Sequence, residues 1–217
     1  MSKQGYQVHA TDYILGDKLK ALPCQTHQLD VRSPTSIQAF ASSLTNTTST
    51  TPIDLLLNVA GTMSPHDQDA LETVSKETLT RIFETNTFGP LLLTQALLPC
   101  VLKAKENGNP NPRIAIVSSR VGSIADNSSG GIYAYRASKA AVNSIGKGLA
   151  MDLKDEGIVV SLLHPGFVRT GLDPSTHGLA EAVEPEEAAR KLWGVLLSKG
   201  LEDTGKFWHR EGQELPW

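Results

Sequence analysis

The 217-residue sequence has few cysteine and aromatic residues, and it has no long uninterrupted run of apolar residues. With only Cys24 and Cys100, the chain has no framework for a disulfide-rich secreted domain, and we expect two free thiols. No apolar run approaches the ~20 residues of a membrane span, and residues 1–6 include no apolar signal region. The sequence therefore predicts a cytoplasmic protein without a membrane partner.

The chain also lacks a strong excess of charge of either sign. Its formal net charge is −3 and its Lys and Arg residues are scattered, which argues against a nucleic-acid partner. A hydrophobic content of 40% and a charged content of 20% are ordinary for a globular protein of this length. Because no linker or internal repeat is evident, we predict a single domain over residues 1–217, and we expect no metal site.

A glycine-rich phosphate loop is a further absence. No Gly-x-Gly-x-x-Gly pattern occurs anywhere in the sequence. Such a loop, followed by the N-terminus of a helix, ordinarily binds the pyrophosphate of a dinucleotide. The nearest imitation, residues 200–206, lacks the following Ser or Thr and precedes a predicted strand, so we exclude it.

Predicted strands and helices alternate along the chain. The residue patterns predict strands at residues 6–10, 26–29, 53–59, 113–118, 158–163 and 206–209. They predict helices at residues 15–22, 34–44, 75–105, 133–155 and 185–198. Residues 45–51 are predicted to form a solvated loop. Alternation of this kind predicts an α/β fold with a doubly wound, Rossmann-like parallel sheet that has helices on both faces.

Tyr135 and Lys139 form the most informative pair in the sequence. Residues four positions apart lie on one face of a helix. A free tyrosine has a pKa of about 10 and a lysine about 10.4, so neither is a ready acid or base at neutral pH. A cation beside the phenol lowers its pKa and lets the pair exchange a proton with a substrate oxygen. The pair therefore indicates interconversion of a carbonyl and an alcohol.

Small and polar residues follow three of the predicted strands, at residues 58–61, 118–119 and 164–166. Ligands of open parallel sheets bind beyond the carboxyl ends of the strands, so we expect these three segments to line one cleft. Taken singly, each segment is more typical of an ordinary turn. Together with Tyr135 and Lys139, they favour a binding site.

Asn86 lies on the apolar face of the helix predicted at residues 75–105. A buried amide is costly unless it is hydrogen-bonded. Pro90 has no N–H, so the main-chain carbonyl of Asn86 loses its usual helical donor. Two interpretations stay open. The free carbonyl and the amide could hold an ordered water in a proton relay, or the helix could simply be kinked around a tolerated asparagine.

Five motifs in this order resemble those of the short-chain dehydrogenase/reductase family, and most closely those of carbonyl reductases of the C-factor and sniffer type. They lie at residues 58–61, 86–90, 117–119, 130–139 and 164–170. The resemblance extends from Gly5 to the last residues of the chain. Tyr-x-x-x-Lys alone is a weak signal, whereas five motifs in the right order are a strong one.

The resemblance implies four catalytic residues. Tyr135 would be the general acid/base, and Lys139 would lower its pKa and bind the nicotinamide ribose. Ser119 would hydrogen-bond the substrate oxygen. Asn86 would hold the relay water through its main-chain carbonyl.

Alternatives remain for two of these roles. Ser118 and Ser123 could take the place of Ser119, although Ser119 aligns with the second serine of the family's pair at the strand end. Tyr133 is an alternative to Tyr135, but its spacing from the lysine does not put the two on one helical face.

The same resemblance implies an NAD or NADP site. The adenine would contact Asp30 and Val31, and the adenosine-side wall would comprise Asn58, Ala60 and Gly61. The segment at the nicotinamide end would comprise Pro165, Gly166, Val168 and Thr170, and Tyr135 and Lys139 would also contact the cofactor. Asp12 falls just past the first predicted strand. A carboxylate there accepts hydrogen bonds from ribose hydroxyls and repels a 2′-phosphate, which favours NAD over NADP. Thr11 is an alternative occupant of that position.

The family pattern begins with a strand, a glycine-rich loop and a helix, and this sequence lacks all three, so we expect an N-terminally truncated fold. In the strand order 3-2-1-4-5-6 the lost strand is central. The strands predicted at residues 6–10 and 53–59 then each lack a neighbour, which leaves costly unpaired backbone groups. The two strand edges could pair with each other, the N-terminal strands could be loosely ordered, or a partner chain could fill the gap. We expect weak or absent dinucleotide binding by this chain.

Three functions follow, in order of preference. The first is an NAD(P)-dependent oxidoreductase that interconverts a small-molecule carbonyl and its alcohol. The second is a cofactor-independent acid/base enzyme, such as an isomerase, a cyclase or an aldol-type enzyme. The third is a non-catalytic dimerisation partner. The resemblance also implies a homodimer or homotetramer formed through residues 77–105 and 133–155.

Overall fold

The structure is a computed structural model that describes residues 5–45 and 50–217. Residues 46–49, within the loop predicted at 45–51, lie outside the described residues. The strands are β1 (His9–Asp12), β2 (Gln25–Gln28), β3 (Leu55–Asn58), β4 (Arg113–Val117), β5 (Val159–His164) and β6 (Lys206–His209). The helices are α1 (Asp17–Lys20), α2 (Pro34–Leu44), α3 (Lys76–Phe83), α4 (Gly89–Glu106), α5 (Tyr133–Leu153) and α6 (Pro185–Ser198).

All strand pairs are parallel, but the strands form two sheets. β1 pairs with β2, and the second sheet has the order β3-β4-β5-β6. Among the described residues β1 and β3 do not pair with each other, so the arrangement in which the two edges close up is wrong. Side-chain packing joins the two sheets instead. Helix α2 shares a core cluster with α4, and the Tyr6 ring meets the Trp193 ring of α6 edge-on with centroids 5.5 Å apart. The parallel α/β class is confirmed, with its strands divided between two sheets.

Apolar residues cover both faces of the four-stranded sheet. One core cluster joins Leu56, Ile114 and Val160 to helices α2, α4 and α5. The other cluster joins Ala115 and Leu163 to α6. Neighbouring residues of one strand point to opposite faces, so both faces of this sheet are buried, as is usual for parallel sheets. Full burial of one Leu or Ile side chain contributes ~1.5–3 kcal/mol, so these two layers stabilise the sheet.

The long helix predicted at residues 75–105 is interrupted. A π-helical turn, Glu84–Phe88, lies between α3 and α4, and the Gly89 N–H donates to the Glu84 carbonyl. π-Turns within helices frequently mark functional sites. This turn contains Asn86, which is only 1% exposed. The local widening of the helix at this point was not evident from the sequence.

By length and composition, the helical stretch Lys76–Glu106 is the one in the described part of the chain that could cross a membrane. Half of that apolar window (50%) is buried inside the protein. Leu93, Leu97 and Val101 of α4 belong to the core cluster with α2. The apolar character of this helix is accounted for by the core of the domain.

Candidate active site

The carboxyl ends of β3, β4 and β5 meet at one edge of the four-stranded sheet. The register pairs Asn58 with Ile116 and Val117 with Leu163, so the segments that follow these strands begin side by side. Helix α5 reaches the same edge, because Lys139 Nζ donates a hydrogen bond to the Val117 carbonyl across 2.9 Å. Three strand ends and one helix therefore surround a common region, where parallel sheets bind ligands.

The three serines near the end of β4 differ in their surroundings. Ser118 is buried, and its hydroxyl donates to Asn143 Oδ1 across 2.5 Å. Ser123 is also buried, and its hydroxyl accepts a backbone N–H at 3.1 Å. The Ser119 side chain instead interacts with the Tyr135 phenol and lowers its pKa. Of these three serines, Ser119 is therefore the one that interacts with the phenol.

Tyr135 is 8% exposed, whereas its neighbour Tyr133 is 42% exposed. Burial raises the pKa of Tyr135 to about 12, the hydrogen bond with Ser119 acts in the opposite direction, and the negative charge of Asp173 raises the pKa further. The net lowering expected from Lys139 is not seen, because its Nζ lies 5.8 Å from the ring centroid and desolvation is the larger effect. At neutral pH the phenol is protonated and available as a proton donor.

Lys139 lies one turn further along α5 and is 3% exposed. Burial lowers its pKa to about 8, because the ammonium loses its hydration. The Val117 carbonyl accepts one of the ammonium hydrogens. An amine with a pKa near 8 can both carry a positive charge and release a proton close to neutral pH.

The Asn86 side chain links the loop after β3 to α5. Its Oδ1 accepts the Thr62 N–H at 2.8 Å, and its Nδ2 donates to the Thr62 carbonyl at 2.8 Å and to the Ser138 hydroxyl at 3.0 Å. The side-chain amide is therefore fully engaged, so any relay role rests on the main-chain carbonyl. A Cβ built on Gly61 would lie 3.6 Å from both Asn86 Oδ1 and Lys139 Nζ. Asn86 and Lys139 thus flank the same small space.

The candidate adenine pair, Asp30 and Val31, follows β2. Asp30 forms an ion pair with Arg32, with 2.8 Å between Oδ2 and Nη2, and hydrogen bonds from Arg32 lower the pKa of the carboxyl. Val31 packs closely on Gly89 at the start of α4, where a Cβ on the glycine would lie 2.9 Å from Val31 Cβ. The Asp30 carboxylate is therefore already paired with the Arg32 guanidinium. Val31 packs this segment against the start of α4.

The remaining adenosine-side candidates are spread over two sheets. Asn58 is buried, with its Nδ2 3.5 Å from Thr94 Oγ1, whereas Ala60 and Gly61 are exposed beyond the end of β3. Asp12 is exposed and is the last residue of β1, not the residue beyond it as expected, because pairing with β2 runs from His9 to Asp12. The structure brings Gly61 to the candidate catalytic residues, but Asp12 belongs to the other sheet.

The nicotinamide-end candidates, Pro165, Gly166, Val168 and Thr170, lie in one loop after β5. Gly166 has a φ of 70°, in the left-handed region that favours glycine. Two distant parts of the loop pair with each other, since Val168 and Val183 form a parallel bridge. Within it, the Thr170 hydroxyl accepts the N–H two residues further on at 3.3 Å. The loop therefore has a defined backbone conformation beside the end of β5.

Asp69 is a site residue that the sequence did not single out. Its carboxylate is fully buried and accepts the N–H groups of Ala134 at 2.7 Å and Tyr135 at 3.1 Å. The local N-cap residue of α5, Ile132, has a φ of 41° and provides no side-chain cap. A carboxylate at this position satisfies unpaired N–H groups and complements the helix dipole. Because Asp69 precedes Tyr135 by 66 residues, no local capping pattern signals it.

Comparison with known proteins bears on this geometry. A family model described as short chain dehydrogenase matches residues 2–178. The chain belongs to the short-chain dehydrogenase/reductase family. C-signal of Myxococcus xanthus is 37% identical over 182 residues, which cover 83% of this chain and 100% of that protein.

Two solved structures are similar over nearly the whole chain. The carbonyl reductase Sniffer of D. melanogaster has a TM-score of 0.87 at 26% identity, covering 97% of this chain and 88% of its own. The NADPH-bound carbonyl reductase from chicken fatty liver has a TM-score of 0.86 at 30% identity, with coverage of 97% and 88%. The resemblance to C-factor and sniffer-type proteins and the Rossmann-like fold are confirmed. The family supports the general class of NAD(P)-dependent oxidoreductases for this chain.

Proposed function

We propose that this protein interconverts a small-molecule carbonyl and its alcohol, with Tyr135 as the acid/base. The observation that carries the proposal is that Tyr135 and Lys139 are buried on α5 beside the end of β4, where Lys139 Nζ donates to the Val117 carbonyl. The Ser119 side chain at the same strand end interacts with the phenol and lowers its pKa. Two hydroxyl donors close together can hold and polarise a carbonyl oxygen. Because burial keeps the phenol protonated, Tyr135 can give that oxygen the proton that an alcohol requires.

In the reductive direction, Ser119 orients the carbonyl oxygen and Tyr135 donates its proton to it. The phenolate left behind is stabilised by the Lys139 ammonium one turn away on α5. A bound NAD(P)H would supply the hydride that reduces the carbonyl carbon. Lys139 and Asn86 flank the space beside Gly61, where the missing side chain allows close approach of a ligand. These residues fit the nicotinamide ribose.

The adenosine side fits less well, and we propose that free dinucleotide binds this chain weakly. The sequence contains no Gly-x-Gly-x-x-Gly loop, and the Asp30 carboxylate is paired with Arg32. Isothermal titration of NADH and NADPH against the 217-residue chain tests this point. Low-micromolar affinity for either would overturn it.

Deuterium transfer from NADPH labelled at both C4 positions tests the proposed reaction. With a panel of small aldehydes and ketones, we expect an alcohol that carries one deuterium on the carbinol carbon. The alternative of a cofactor-independent acid/base enzyme is favoured by the same Ser119–Tyr135 pair, which can move a proton without a hydride. Turnover that needs no dinucleotide, with an unlabelled product, would support that alternative and contradict the redox proposal.

We also propose that two copies associate through α4 and α5. Phe88 and Leu91 near the start of α4 and Met151 on α5 are apolar and exposed, at 49%, 37% and 60%. Such residues on two adjacent helices suit a symmetric interface. Light scattering should give two or four times the mass of the chain, and a Leu91→Glu variant should shift it towards the monomer. A monomeric wild type would contradict this assembly.

A further inference from the structure

Arg210, just after β6, is a buried cation that none of the proposed chemistry uses. Arg210 is 7% exposed, and its Nε lies 3.3 Å from a carboxylate oxygen of Glu211. A buried guanidinium is costly unless its donors are satisfied. The acceptors of its two Nη atoms therefore indicate what this side chain is for.

The Nη donors of Arg210 all go to main-chain carbonyls of the loop between β5 and α6. Nη1 donates to the carbonyls of Pro165 at 2.8 Å and Phe167 at 3.0 Å, and Nη2 donates to the Glu181 carbonyl at 2.9 Å. The rigid planar fork of arginine suits three acceptors fixed in one geometry. One side chain thus joins the first residues of the loop, Pro165 and Phe167, to Glu181 near its end.

The loop conformation and the guanidinium are mutually fitted. A Cβ on Gly166 would lie 2.5 Å from Arg210 Nη1, so the glycine admits the cation as well as adopting its left-handed φ of 70°. The Phe167 carbonyl also accepts the Val183 N–H at 3.1 Å. Arg210, which is distant in sequence, therefore holds together the loop that carries the candidate nicotinamide-end residues.

We propose that Arg210 is a positioning residue for this loop: it holds residues 165–181 in the conformation that binds the nicotinamide end of the dinucleotide. The inference rests on the proposed redox function. Without the guanidinium, the loop would have to be ordered at the moment of cofactor binding, and that ordering would reduce affinity. Once the cofactor is bound, the loop is in place, so the chemical step is largely preserved.

Steady-state kinetics of Arg210→Met and Arg210→Lys test the inference, with Arg190→Met, an exposed arginine of α6, as the matched control. For Arg210→Met we expect the KM for NAD(P)H to rise about tenfold while kcat changes less than about threefold. Arg210→Lys should recover part of the loss, and the control should match the wild type. Hydrogen exchange should accelerate at the amides of residues 167–183 but not in β4 or β5.

The outcomes separate the two proposals. A wild type without NAD(P)H-dependent turnover would overturn the proposed function and this inference with it. An active wild type with an unchanged KM in a folded Arg210→Met or Arg210→Lys variant would overturn the inference alone. If kcat falls by the same factor as KM rises, and hydrogen exchange accelerates throughout the protein, the role of Arg210 is purely structural. That result would also overturn the inference.

Discussion

Asn86 Nδ2 donates a hydrogen bond to the Ser138 hydroxyl across 3.0 Å, which ties the π-helical turn to the helix that carries Tyr135 and Lys139. The same side chain bonds both the N–H and the carbonyl of Thr62. One asparagine therefore fixes a loop, a π-turn and helix α5 relative to one another. The Ser138 hydroxyl in turn donates to the Tyr135 carbonyl at 2.8 Å.

Replacement of Asn86 by alanine should destabilise the protein, because three partners of its side chain lose their bonds in a buried position. We expect the free energy of unfolding to fall by about 1–3 kcal/mol. Urea denaturation followed by circular dichroism measures the change. The exposed Asn107 at the end of α4, replaced by alanine, serves as the matched control. Equal stabilities of the two variants would contradict the linking role.

Asp69 should be needed for the start of α5. In an Asp69→Ala variant, the N–H groups of Ala134 and Tyr135 lose their acceptor, and we expect a loss of about 1–2 kcal/mol. Hydrogen exchange at these two amides should accelerate. Asp67, which is exposed in the same segment, provides the control when replaced by alanine. If Asp67→Ala has the larger effect, the capping role of Asp69 is wrong.

His164, at the end of β5, should make the protein sensitive to acid. Burial, with the positive charges of His209, Arg120 and Arg210, lowers the pKa of His164 to about 3 from its usual 6.5. The unfolded state therefore binds more protons below pH 6.5, so stability falls as the pH decreases from about 6.5 towards 3. A His164→Gln variant should show a shallower decline when urea stability is measured across that range. Parallel curves for the two proteins would refute the assignment.

Local patterns were sufficient to predict several elements of the fold. Ser33 and Pro34 predicted the start of α2, and the Ser33 hydroxyl accepts the Ser36 N–H there. The strand at residues 113–118 and the helix beginning at Tyr133 also lie where their patterns place them. Capping and buried strand patterns are properties of neighbouring residues, so one sequence is enough to read them.

The rest depends on contacts between distant residues. Whether β1 and β3 pair with each other is not specified by either segment, and in the described residues they lie in separate sheets that side-chain packing joins. Asp69 and Arg210 act on backbone groups 65 and 45 residues away, so their roles have no local signature. The pKa of Tyr135 was likewise unpredictable, because burial of the phenol raises it and that burial is known only from the folded chain.

The rate of NAD(P)H oxidation with an accepted aldehyde or ketone tests the role of Tyr135 most directly. The measurement compares the wild type with Tyr135→Phe and with Tyr133→Phe, which removes the exposed phenol two residues earlier. We predict that Tyr135→Phe lowers the rate by at least about 10²-fold, since it removes only the proton donor, and that Tyr133→Phe keeps the wild-type rate. A Tyr135→Phe variant as fast as the wild type would contradict the account.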